Sequence, residues 1–100
     1  MSIRVRAQEQ DGKIGIRALI SHPMDTGEET DDAGETIPEH FIQTVKVERN
    51  GETMVDAYWG VTISRNPFLE LEFDGSSGDT VRISWEDNQG DTDSEEVEVR

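Results

Sequence analysis

Few side chains in this 100-residue chain have the types and spacing to do chemistry. His22 and His40 are the only imidazoles, and they flank a run dense in carboxylates. If the segment between them closes on its own base, the two rings meet. With Asp25 or Glu39 they would then compose a two-histidine, one-carboxylate metal site. The plainer expectation is that each histidine ends a strand and hydrogen-bonds a local carbonyl. With no cysteine there is no disulfide, no thiolate nucleophile and no thiolate zinc site. Oxygen ligands crowd Asp87 to Glu96 and Glu28 to Glu35, but the calcium-loop pattern fails, because Thr92 stands where Asp87, Gln89 and Asp91 would be followed by glycine. Both stretches read as solvated charge. No catalytic residue, bound metal or cofactor is expected.

Charge limits the partners. Asp plus Glu number 23 against 9 Lys plus Arg, a formal net charge of −14, which repels phosphate backbones and anionic headgroups. Neither nucleic acid nor a membrane surface is an expected partner. Met1 to Arg6 lacks the apolar stretch of a secretion signal, so the expectation is a chain without an export signal of its own. The cations are seven arginines and two lysines. A carboxylate-dense, lysine-poor surface suits a salt-loving host, where the Debye length falls from about 10 Å at 0.1 M to about 3 Å at 1 M. An ordinary acidic protein kept from aggregating by its charge is the alternative.

The elements that must position these residues are strands. Ile and Val supply eight residues each and Leu only three, and branching at Cβ favours a pleated, half-buried surface over a helix. Alternation of period two runs from Ile3 to Ala7, from Ile14 to Ile20 and again through Phe41 to Glu48. Asn50-Gly51 follows, a dipeptide suited to the positive φ angles of a type I′ hairpin turn. The return strand carries Thr53, Val55, Ala57, Trp59, Val61 and Ile63 on one side and is long enough to bend or divide near Gly60. Beyond Asn66-Pro67, Leu69, Leu71 and Phe73 alternate with acids. Val81, Ile83 and Trp85 then face inward, and the last strand spans Glu95 to Val99. Trp59 and Trp85 are in phase with the core. The expected fold is all-β, an immunoglobulin-like antiparallel sandwich of six to seven strands forming a single domain over 1–100. One segment breaks the rhythm: a long acidic loop at 23–40 without lysine or arginine, of a length that favours function or disorder.

Several stretches together resemble the SoxZ family. They are Ala18-Leu19-Ile20-Ser21-His22-Pro23-Met24-Asp25-Thr26-Gly27, Ile37-Pro38-Glu39-His40-Phe41-Ile42, Asn50-Gly51, Ser64-Arg65-Asn66-Pro67-Phe68-Leu69 and Trp85-Glu86-Asp87-Asn88-Gln89-Gly90-Asp91. The resemblance runs from Lys13 to Val99. It implies a non-catalytic, cysteine-free subunit of the SoxYZ carrier of thiosulfate oxidation. Its partner would be a SoxY-type subunit whose C-terminal cysteine carries the sulfur, with transient contacts to other Sox enzymes. It also implies a periplasmic location, reached by export with a signal-bearing partner. Glu28-Glu29-Thr30-Asp31-Asp32 departs from the family, in which this loop commonly includes basic residues. The segments nearest the family place the partner contact at Ser21, His22, Pro23, Met24, Ile37, Pro38, His40 and Phe41. The alternative is a free-standing immunoglobulin-like binding or adhesion module that uses the acidic loops directly, with or without calcium.

Overall fold

The computed structural model describes residues 3–60 and 62–100. Seven strands, and no helix among the described residues, follow in order: β1 (Ile3–Gln10), β2 (Lys13–Ile20), β3 (Ile42–Arg49), β4 (Glu52–Tyr58), β5 (Phe68–Asp74), β6 (Thr80–Asp87) and β7 (Thr92–Glu98). Two antiparallel sheets form, one ordered β1-β2-β5 and the other β4-β3-β6-β7. The result is the all-β sandwich that the alternation predicts.

Alternation fixes which side chains are enclosed. Ile14, Ile16, Ala18 and Ile20 of β2 are buried, as are Val45 and Val47 of β3 and Val81, Ile83 and Trp85 of β6, while the residues between them face out. A slip of one residue in either sheet would expose the whole set, so burial enforces the register. The Asn50-Gly51 turn joins β3 and β4 with φ of 50° and 84°, the left-handed pair a type I′ turn requires. Gly75 is held to glycine by proximity, since a Cβ there would lie 2.2 Å from the Cδ1 of Ile14.

Three expectations need correction. The return strand stops at Tyr58, and the Trp59 amide donates instead to the Gln43 carbonyl at 2.8 Å. Trp59 and Ile63 still pack on the core, half-buried, and Val61 lies outside the described residues. The last strand begins at Thr92, earlier than Glu95, because its acidic residues pair with β6 on a solvated face. The acidic segment is a loop with no strand of its own, drawn into a narrow hairpin. Backbone bridges join Asp25 to His40 and Thr30 to Thr36, and the Asp31 carboxylate accepts the amides of Ala33 and Glu35 to close the turn. Finally, Asp87 is no part of a solvated run, being 2% exposed.

Candidate functional site

The geometry at the loop's base starts from β6. Val81, Ile83 and Trp85 point into the sandwich, and strict alternation carries Asp87 into the same interior phase. A carboxylate placed there must be met by donors. A bulge in the neighbouring strand helps. The β3–β6 register pairs Thr44 with Glu86 and Ile42 with Asp87, so Gln43 is the extra residue. Ile42 thereby stays in the core while Gln43 turns to solvent, the re-aiming that bulges commonly perform.

Four donors converge on Asp87. Oδ2 faces the Nε2 atoms of His22 at 3.0 Å and His40 at 2.7 Å. Oδ1 accepts the backbone amides of Gln89 at 3.0 Å and Asp91 at 2.9 Å, which folds the following turn. Burial raises the energy of the charged carboxylate. The hydrogen bonds from His22, the Asp91 amide, His40 and the Gln89 amide outweigh that, and hold the group below the usual carboxylate range.

Both histidines are fixed from behind. His22 follows β2, its amide donating to the Asn66 side chain at 3.0 Å and its carbonyl accepting the Asn66 amide at 3.0 Å. Its Nδ1 accepts the amide of Met24 at 3.1 Å. That bond needs Met24 in the left-handed region, at φ 49°, a conformation costing roughly 1–2 kcal/mol for a residue with a side chain. The same turn sends Met24 into the core, 3% exposed, with Sδ accepting the Ile42 amide. His40 sits opposite, held by the paired backbone bonds to Asp25, and its ring meets that of His22 edge-on at 4.6 Å. On the other side, His22 packs edge-on against Trp85 at 5.1 Å. Arg65 straps the outside, its Nε donating to the Pro23 carbonyl and its Nη2 lying 4.0 Å from the Asp25 carboxylate.

His22, His40 and Asp87 place three donor atoms within 4.8 Å of one another, the spacing of a metal site, yet the protons are arranged against one. A metal-binding imidazole donates through its second nitrogen to a carboxylate, carbonyl or water. His22 does the reverse: Nδ1 accepts a backbone N–H, so the ring proton resides on Nε2, the atom that would have to bind the ion. The group is a hydrogen-bonded clamp in which the imidazoles donate to a shared carboxylate.

The two histidines do meet at the base of the loop, as their flanking positions suggested. The carboxylate that joins them is Asp87, from β6, and not Asp25 or Glu39. The simpler expectation of two separate histidines on local carbonyls is overturned as well. Asp87 was legible in principle as the acid two residues beyond Trp85, in phase with Val81, Ile83 and Trp85. Of the segments singled out from sequence, Ser21, Pro23 and Pro38 are exposed, Ile37, His40 and Phe41 are half-buried, and His22 and Met24 are enclosed. The last two therefore contribute position at this end of the molecule rather than surface.

Comparison with known proteins agrees with the segments quoted above. The family model described as Sulphur oxidation protein SoxZ matches residues 3–98. No curated protein matches the chain.

Proposed function

The chain belongs to the SoxZ family, and on that premise we propose that it is the non-catalytic subunit of a SoxYZ-type sulfur carrier, pairing with a cysteine-bearing SoxY-type protein in the periplasm after export with that partner. Sulfur oxidation is the family's business, and the chemistry of a carrier divides the labour. Holding a sulfur intermediate as an S–S bond takes a soft thiolate that can be attacked and released again. This chain has no cysteine. The His22, His40 and Asp87 cluster is committed to structure, since Asp87 accepts four hydrogen bonds and both ring nitrogens of His22 are engaged.

The observation that carries the reading is this cysteine-free chain, matched to the family along almost its whole length, with its best acid–base candidates committed to holding a loop. Its contribution is then geometric: a second sandwich that solubilises the partner, anchors the root of its sulfur-bearing tail and offers a face to successive enzymes. Intact-mass analysis of the complex after incubation with thiosulfate and the other Sox components tests it. The expected adduct lies on the SoxY-type subunit alone. A sulfur adduct on this chain, or full carrier turnover by the partner in its absence, overturns it.

A further inference from the structure

Among the described residues, three large apolar side chains stand clear of the core: Leu19 at 41% exposure, Phe68 at 62% and Tyr58 at 84%. Two of them are neighbours. Leu19 and Phe68 are paired across β2 and β5, and on the other side of β2 Leu19 is opposite Arg4 while Arg17 is opposite Arg6. Arg4, Arg6, Arg17, Leu19 and Phe68 line one shallow depression on the outer face of the three-stranded sheet.

Two features of this patch are unfavourable for the chain by itself. An exposed phenylalanine beside an exposed leucine leaves apolar area in water, where a charged residue would be cheaper. Directly opposed like charges, Arg6 and Arg17, weaken a strand pair. Glu70 relieves Arg17 at 3.2 Å, whereas among the described residues the side chains of Arg4 and Arg6 make no ion pair or hydrogen bond. In a chain of net charge −14, three arginines gathered around two apolar side chains mark the place where an acidic surface can approach. The patch also adjoins the loop's root: the Ile20 amide donates to the Pro67 carbonyl at 3.0 Å, and Ser21 and Phe68 continue from that bond.

We propose that the Arg4, Arg6, Arg17, Leu19 and Phe68 face docks a protein partner presenting an apolar side chain ringed by carboxylates, and that this partner is the SoxY-type subunit. The identity of the partner rests on the pairing proposed above. A compact protein contact fits better than a polyanion. Nucleic acid or an anionic bilayer extends beyond so small a patch onto the surrounding acidic surface and is repelled there, whereas a few carboxylates feel mainly the arginines within a Debye length. Apolar anchors enclosed by a charged rim are the usual anatomy of a specific interface.

The test measures binding of the full chain to the SoxY-type subunit from the same host by calorimetry, at low and at high sodium chloride. Three variants, each checked for an unchanged melting temperature, are compared: Phe68→Ser, the pair Arg4→Glu with Arg6→Glu, and Tyr58→Ser on the opposite sheet. The expected outcome is at least a tenfold loss of affinity for Phe68→Ser. The double charge reversal should also lose at least tenfold at low salt, with less salt dependence remaining, and Tyr58→Ser should bind as the parent does. Parent-like binding by both patch variants overturns this surface and leaves the pairing intact. No binding by the parent chain overturns the pairing and this surface with it. Binding of the parent to anionic vesicles or to DNA that the charge reversal abolishes, with the SoxY-type contact unaffected, also overturns it.

Discussion

At its base the 23–40 loop is tied by the Asp25–His40 backbone bonds, by Asp87 receiving both histidines, by Met24 folded back into the core and by the Arg65 strap. At its tip, Glu28 to Thr36 is exposed throughout, and the turn is closed by backbone bonds around the Thr30–Thr36 bridge, from the amides of Asp31, Gly34 and Ile37, and by the Asp31 carboxylate. The same hairpin is therefore governed by two different terms. Its base draws on buried hydrogen bonds to a charged group, which are strong because water is excluded. Its tip is a solvated acidic surface whose energetics depend on screening. The contrast teaches that the loop's position and the loop's charge are separable, and that variants can move one without the other.

The largest effect should come from Asp87→Ala. Removing the shared acceptor leaves two imidazole N–H groups and two amides facing a buried gap, at a cost of about 3–5 kcal/mol. Urea denaturation checks it, and a loss below about 1 kcal/mol would show that the base is not held by this carboxylate. Next in size are the single histidine variants, each losing one hydrogen bond to a charged acceptor, worth about 1.5–3 kcal/mol. His22→Ala should fall at the upper end, since its enclosed ring also packs on His40 and Trp85. His40→Ala should fall at the lower end, its side chain being 25% exposed. The reverse order would move the weight of the clamp onto the loop.

Acid acts on the base through Asp87. The folded chain keeps Asp87 ionised at pH values where the unfolded chain has already bound a proton. Its stabilisation is therefore complete above the unfolded value of about 4 and drains away as pH falls from there through the lower folded value. Stability measured from pH 6 downward should drop over that window, and Asp87→Asn should flatten the drop. The smallest effect belongs to the tip. Glu28→Gln, Glu29→Gln and Asp32→Asn together should change stability by no more than about 0.5 kcal/mol. They should nonetheless reduce the rise of melting temperature with sodium chloride below about 0.5 M. An unchanged salt slope would place the self-repulsion elsewhere on the surface.

Much of the sandwich was legible because alternation is a one-dimensional signal: Ile14 to Ile20 and Val81 to Trp85 announce an inner face, and Asn50-Gly51 announces its turn. The clamp was only half legible. His22 and His40 drew attention as the only imidazoles, but Asp87 was hidden by its own neighbourhood, where the acids around it suggested solvent and only its phase with Trp85 told otherwise. Met24 in a left-handed turn had no signal at all, since non-glycine residues rarely adopt that conformation and the bond that holds it there comes from the His22 ring. The end of β4 at Tyr58 was missed for a related reason. Trp59 and Ile63 keep the apolar spacing after pairing has stopped, because they cover the core from a loop.

His22, His40 and Asp87 form a proton-arranged clamp rather than a metal site. The most direct measurement is the long-range nitrogen–proton NMR correlation of the imidazole rings at neutral pH, recorded before and after addition of one equivalent of zinc chloride. The clamp predicts His22 in the Nε2–H tautomer, with Nδ1 showing the shift of a hydrogen-bond acceptor and no change on adding zinc. A proton on Nδ1, or zinc-induced shifts of Nε2 in both rings, would contradict it.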